Sequence, residues 1–109
     1  MNILEKINML LVVLGLGTLT DREKKNACSV RCKNVESPAI ARAYILAIAR
    51  IYGENTKYSI EYGGVKKVIF RGTDNQKSLF SNSGVGYNYW LITIWDGYKI
   101  AAIFKFSWK

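Results

Sequence analysis

Histidine is absent from this chain of 109 residues, and proline occurs once. The commonest general base and the commonest metal ligand are therefore both missing. Acidic residues are also scarce, with 8 Asp and Glu against 16 Lys and Arg, which gives a formal charge of +8. Apart from Asp96 in a turn, only Glu61 and Asp74 lie near the basic, aromatic hairpin, so a paired-carboxylate enzyme has little to build on. Phosphodiester cleavage by electrostatic stabilisation alone, from lysine, tyrosine and arginine, is the enzymatic chemistry that this composition leaves open. The expectation is a non-enzymatic protein without a cofactor.

Cysteine is scarce too. Cys28 and Cys32 are too few for a disulfide-stapled secreted scaffold. If helical, they lie one turn apart on one face, where they read as small reduced core residues. A metal site would need further ligands. Long hydrophobic runs are missing as well. Met9–Leu16 is too short to span a bilayer, and the residues before it carry one Lys offset by one Glu, with no small-x-small cleavage site after it. A cytoplasmic location with no membrane span is expected. Gly15-Leu16-Gly17 lacks a third glycine at position 20 and a following βαβ unit, so it does not make a dinucleotide loop.

Among the features present, the dominant one is Ser37–Gly53, SPAIARAYILAIARIYG, in which only Arg42 and Arg50 are charged. Ser37 suits an N-cap, Pro38 the first helical position and Gly53 the left-handed residue that ends a helix. A helix apolar on nearly every side is normally buried, here against a sheet. A first helix is expected over residues 2–14, with Ile3, Leu4, Ile7, Leu10, Leu11 and Leu14 inward; Val12 and Val13 leave a strand open for residues 9–14. Thr20-Asp21-Arg22-Glu23 forms a capping box, from which a second helix should run to about Lys33. On it Arg22, Lys24, Lys25, Arg31 and Lys33 make a cationic stripe able to track phosphates.

After Gly53 the period changes from helical to alternating. Lys57–Tyr62 and Val65–Arg71 read as strands joined by Gly63-Gly64, with Glu61 opposite Lys66 and Tyr62 opposite Val65. In that register Lys67 falls on the apolar side, and a bulge near Lys66-Lys67 would send Val68 and Phe70 to the core instead. The polar stretch Gly72–Gly86 is a long loop, and its Ser81–Gly86 section offers hydroxyls and amides that suit an anion. A second hairpin runs over Tyr87–Trp95 and Tyr98–Ser107 around an Asp96-Gly97 turn. Counting back from that turn puts Tyr89, Leu91, Thr93, Trp95, Tyr98, Ile100, Ala102, Phe104 and Phe106 on the helix-covered face. The other face carries Trp90, Lys99 and Lys105, and is covered by the N-terminal helix or a homodimer partner, or used as a stacking platform for bases.

The expected fold class is α+β. Two or three N-terminal helices (residues 1–53) pack on a C-terminal antiparallel sheet of about four strands in two hairpins (residues 55–108), all in one domain. The charge excess favours nucleic acid or an acidic protein or nucleoprotein surface. Besides the helical stripe and Trp90, Lys99 and Lys105, the candidate contacts are Lys57, Tyr58, Tyr62, Lys66, Lys67 and Arg71. The competing expectation is a phage or mobile-element inhibitor of a host nucleoprotein machine, anti-CRISPR-like, acting through protein contact.

Overall fold

The computed structural model describes residues 2–26, 28–52, 57–62, 66–71 and 88–109, with backbone alone for 62 and 66–71. The helix terminator Gly53, the Gly63-Gly64 turn, the polar stretch Gly72–Gly86 and Tyr87 lie outside these residues.

Helix α1 spans Ile3–Val13 and is started by Asn2, whose side chain accepts a hydrogen bond from the Glu5 N–H at 2.8 Å. It is a helix throughout, so the strand left open for its C-terminal half does not form. Ile7, Leu10 and Leu11 are buried as the periodicity requires, with Ile3, Leu4 and Leu14 packed at the margin. Helix α2, Asp21–Asn26, opens on the expected capping box: the Glu23 N–H donates to Thr20 Oγ1 and the Thr20 N–H to Glu23 Oε1, both at 3.1 Å. It ends after six residues. Residues Ser29–Asn34 are strand β1, not the continuation of that helix. Val, Ser and Cys are poor helix formers, and Ser29, Arg31 and Lys33 alternate with Val30, Cys32 and Asn34 in burial. That alternation is enough to admit a strand once a partner is present.

Helix α3 is Pro38–Tyr52, with Ser37 Oγ accepting from the Ile40 N–H at 3.4 Å. Ala41, Ile45, Ile48, Ala49 and Tyr52 are buried, whereas Ala39 and Ala43 are exposed. One side of this helix is therefore open, contrary to burial all round. Strands β2 (Lys57–Tyr62), β3 (Lys66–Arg71), β4 (Tyr89–Asp96) and β5 (Lys99–Ser107) complete a five-stranded sheet of order β1-β5-β4-β2-β3. The fold is α+β, with helices concentrated in the N-terminal half and both hairpins in the C-terminal half. The sheet is mixed because β1 joins β5 in parallel, with Ser29 opposite Ala102 and Lys33 opposite Phe106.

Register corrects two expectations. In the first hairpin Glu61 lies opposite Lys67, Ile60 opposite Val68 and Tyr58 opposite Phe70. A shift by one residue does what a bulge was expected to do, and brings Val68 and Phe70 level with the two core positions of β2. In the second hairpin the turn is Gly97-Tyr98, closing on the pair Asp96–Lys99, with Gly97 at φ 62°. A register shift between Ile94 and Trp95 leaves Ala101 unpaired, as in a β-bulge. The two displacements add to an odd number, which exchanges the faces of one strand against the other. Phe104 and Phe106 thus share a face with Ile92 and Trp90. That face meets α3, where Tyr44 stacks on Phe106 with ring centroids 4.9 Å apart, and it also carries Trp108, just after β5, edge-on to Trp90 at 5.4 Å.

Candidate nucleic-acid interface

The opposite face of the sheet is formed by the residues that the odd shift turned outward. α1 and α3 pack on the other side. Across this face the register aligns Lys57 with Arg71, Thr93 with Ser59 and Ile103, and Leu91 with Glu61 and Lys105. Ser59 and Thr93 are buried along its middle line, and Tyr89, Leu91, Trp95, Ile103 and Lys105 around them are half-buried. Two lysines lie over aromatic rings here. Lys57 Nζ sits 4.5 Å from the Trp95 ring centroid, and Lys105 Nζ sits 4.4 Å from that of Tyr89. The attraction is between an ammonium and the negative face of a π system. It holds each ammonium low against the sheet. At the hairpin tip Tyr98 is fully exposed, beside exposed Lys99 and Ile100.

The candidate residues divide. Lys57 and Lys105 stand on this face. Lys67 and Arg71 fall in its rows by register, opposite Glu61 and Lys57. Lys99 is at the tip. Trp90 and Tyr58 are not surface residues: they are 3% and 1% exposed, on the helix-covered side, so neither is available as a stacking platform. Tyr62 and Lys66 pair with each other in the row of Trp90, away from the rows of Lys57 and Lys67. The helical cationic stripe is also broken. Arg22, Lys24 and Lys25 remain exposed on α2, but Arg31 and Lys33 belong to β1, where Lys33 Nζ stands 6.0 Å from the Tyr44 ring. The aromatic residues that sequence reasoning missed are Tyr89, Trp95 and Tyr98. They were assigned inward by the count from the turn. Moving that turn by one position shifts the pairing by two residues and keeps the faces, so the reversal comes from the bulge at Ala101, which no local signal reports.

Arg31 is occupied by the fold itself. Its guanidinium donates to the Leu16 carbonyl at 3.1 Å and to the Thr18 carbonyl at 2.9 Å. It also takes both oxygens of Glu23, Nη2 to Oε1 at 2.8 Å and Nη1 to Oε2. The two-point pair ties α2 to β1, and the bonds to Leu16 and Thr18 fix the segment between α1 and α2 to the same strand. The Arg31 hydrogen bond, with smaller help from Thr20 and Ser29 and against the cost of burial, lowers the Glu23 pKa to about 2 from 4.5. A depressed carboxylate pKa contributes stability that is complete above the unfolded value near 4.5 and is lost as the pH falls toward 2. The wild-type melting temperature should therefore drop across that window more than that of Glu23→Gln, as read by circular dichroism. Equal slopes for the two proteins would remove Glu23 as the titrating group.

Cys28 is half-buried and Cys32 exposed, both as free thiols. Because β1 is extended, Cys32 does not share a buried helical face with Cys28, and the expectation of two core cysteines is corrected. Among the described residues no group of three His, Cys, Asp or Glu is placed to hold a metal, and no helix is long and apolar enough to cross a membrane. A second surface feature lies on the helical layer. Leu14, Ala39, Ile40, Ala43, Tyr44 and Ala47 line an open apolar groove of about 390 Å³, with Val12 and Val13 exposed at the end of α1. No family model matches this sequence, and no curated protein or solved structure is similar enough to match it.

Proposed function

We propose that this chain is a small non-enzymatic binding domain whose open sheet face contacts nucleic acid, free or within a nucleoprotein. The observation that carries the reading is the pair of lysine–aromatic contacts, Lys57 on Trp95 and Lys105 on Tyr89, on the sheet face turned away from α1 and α3. A polyanion satisfies both parts of each pair: phosphates take the ammonium groups, and bases take the rings. The formal charge of +8 adds long-range attraction.

A matched comparison separates a site from diffuse charge. Lys57→Glu with Lys105→Glu changes the net charge as much as Lys24→Glu with Lys25→Glu does on α2. The first pair should weaken binding to nucleic acid more, and should lower the magnitude of the salt slope by about 0.7–0.9 for each phosphate that is no longer neutralised. Equal losses from the two pairs would mean diffuse electrostatics. Absence of binding by the wild-type protein at low salt would overturn the reading.

A second reading, a phage or mobile-element inhibitor acting by protein contact, is favoured by the apolar groove between Leu14 and Ala47. Exposed apolar surface of this kind is typical of protein interfaces. Capture from the source cell with and without nuclease treatment distinguishes the two. A partner retained after nuclease treatment, and released by Ile40→Glu, would place the contact on the groove.

A further inference from the structure

Resting on the nucleic-acid reading, we infer that the ligand of the sheet face opposite α1 and α3 is single-stranded, with unpaired bases stacked on the half-buried Tyr89 and Trp95. Both residues lie on β4, six positions apart, on the same face of the sheet. At about 3.3 Å per residue they are about 20 Å apart along the strand. That separation spans several nucleotides, not one base step, so the face is a track with a ring at each end. Each ring carries its own lysine, Lys105 at the Tyr89 end and Lys57 at the Trp95 end. Fully exposed Tyr98 continues beyond the Trp95 end at the hairpin tip.

The position of the lysines decides between a strand and a duplex. An ammonium about 4.5 Å from a ring centroid lies against the flat of the ring. What the sheet offers is therefore π surface that a mobile side chain can vacate. A duplex keeps its own bases stacked inside and presents phosphates and groove edges, which have no use for that surface. An unpaired base has a free π face of its own. On binding, the base replaces the ammonium on the ring and the lysine swings to the neighbouring phosphate. Stacking and charge neutralisation are then one event at each end of the track. Among the described side chains of this face Glu61 is the one carboxylate, against Lys57 and Lys105.

The test is fluorescence anisotropy at low salt, with a labelled oligothymidylate of about 12 nucleotides and a duplex of equal length. Wild type should bind the single strand at least about tenfold more tightly than the duplex. Trp95→Leu and Tyr89→Leu should each weaken single-strand binding by about 5- to 100-fold while leaving the duplex unchanged, and Trp95→Phe should retain most of the affinity. Thermal melts of each variant report whether it is folded; should a leucine variant not fold, the phenylalanine variant and the wild-type preference still decide. Equal affinity for strand and duplex, with Trp95→Leu binding both like wild type, overturns this inference and leaves the broader reading standing. No binding of either polymer overturns the nucleic-acid reading itself and favours an acidic protein partner.

Discussion

Ile48→Asp is expected to leave the chain without a cooperative thermal transition. Ile48 is fully buried on α3, the element whose inner face meets both α1 and the sheet. Removing a buried isoleucine side chain to the size of alanine costs about 2–5 kcal/mol through reduced transfer energy and the residual cavity. The carboxylate adds the cost of burying an unpaired charge, or of holding the group protonated well above its ordinary pKa. The sum meets or exceeds the 5 kcal/mol or so that marks the lower end of domain stability. One turn further along, burial pushes the Tyr52 phenol well above its usual range, the same penalty on a charged form. The expected product keeps helical far-ultraviolet dichroism while losing near-ultraviolet signal and binding a hydrophobic dye. Ile48→Val, which keeps shape and apolarity, should cost only about 0.5–1.5 kcal/mol and supplies the control. A melting temperature unchanged by Ile48→Asp would mean that α3 is not a core helix.

What could be read from the sequence follows from how local each cause is. The position of α3 rests on Ser37, Pro38 and an apolar run, all within a few residues of one another. The capping box of α2 is likewise a contact between Thr20 and Glu23. The extents of the hairpin strands rest on alternation, and these also stand within a residue or two of the structure. Three things were not local. Strand β1 exists because Ser29–Asn34 pair with Ala102–Ser107 far along the chain, and nothing within a window around Cys28 reports that partner. The faces of β4 and β5 depend on the bulge at Ala101: a turn moved by one position shifts the pairing by two residues and keeps the faces, whereas one extra residue in a strand reverses them. Trp90 and Trp95 then exchange roles, the first going to the core and the second to the open face. For the candidate face this means that the type of surface, aromatic and basic, was legible from composition. Its members were not. Lys57 and Lys105 could be expected at the surface because cations lie outside a core on either register, whereas aromatic residues are at home on both sides.

Arg31→Ala is expected to lower stability by about 2–3 kcal/mol without removing a phosphate ligand. As one of five cations on a helical stripe, Arg31 would be a binding residue, and its removal would show in the salt slope with little change in melting. The structure gives it four partners instead: the carbonyls of Leu16, Thr18 and Val30, and the carboxylate of Glu23. The Arg31 and Glu23 side chains are 19% and 13% exposed, so the pair is largely withdrawn from solvent but not fully desolvated. Breaking a fully buried pair costs about 3–5 kcal/mol because one charge is left without its partner, and the remaining exposure reduces that here. The cost corresponds to a fall of about 10–20 °C in melting temperature for a domain of this size. Arg31→Lys keeps the charge but cannot engage two carboxylate oxygens and two carbonyls at once, since an ammonium lacks the planar fork. It should recover no more than about half of the difference. With Glu23→Gln already in place, Arg31→Ala should cost less than it does alone, because the two residues act as one unit. The nucleic-acid salt slope of Arg31→Ala, measured below its melting temperature, should match that of wild type. A lowered slope with an unchanged melting temperature would return Arg31 to the binding surface and remove it from the fold.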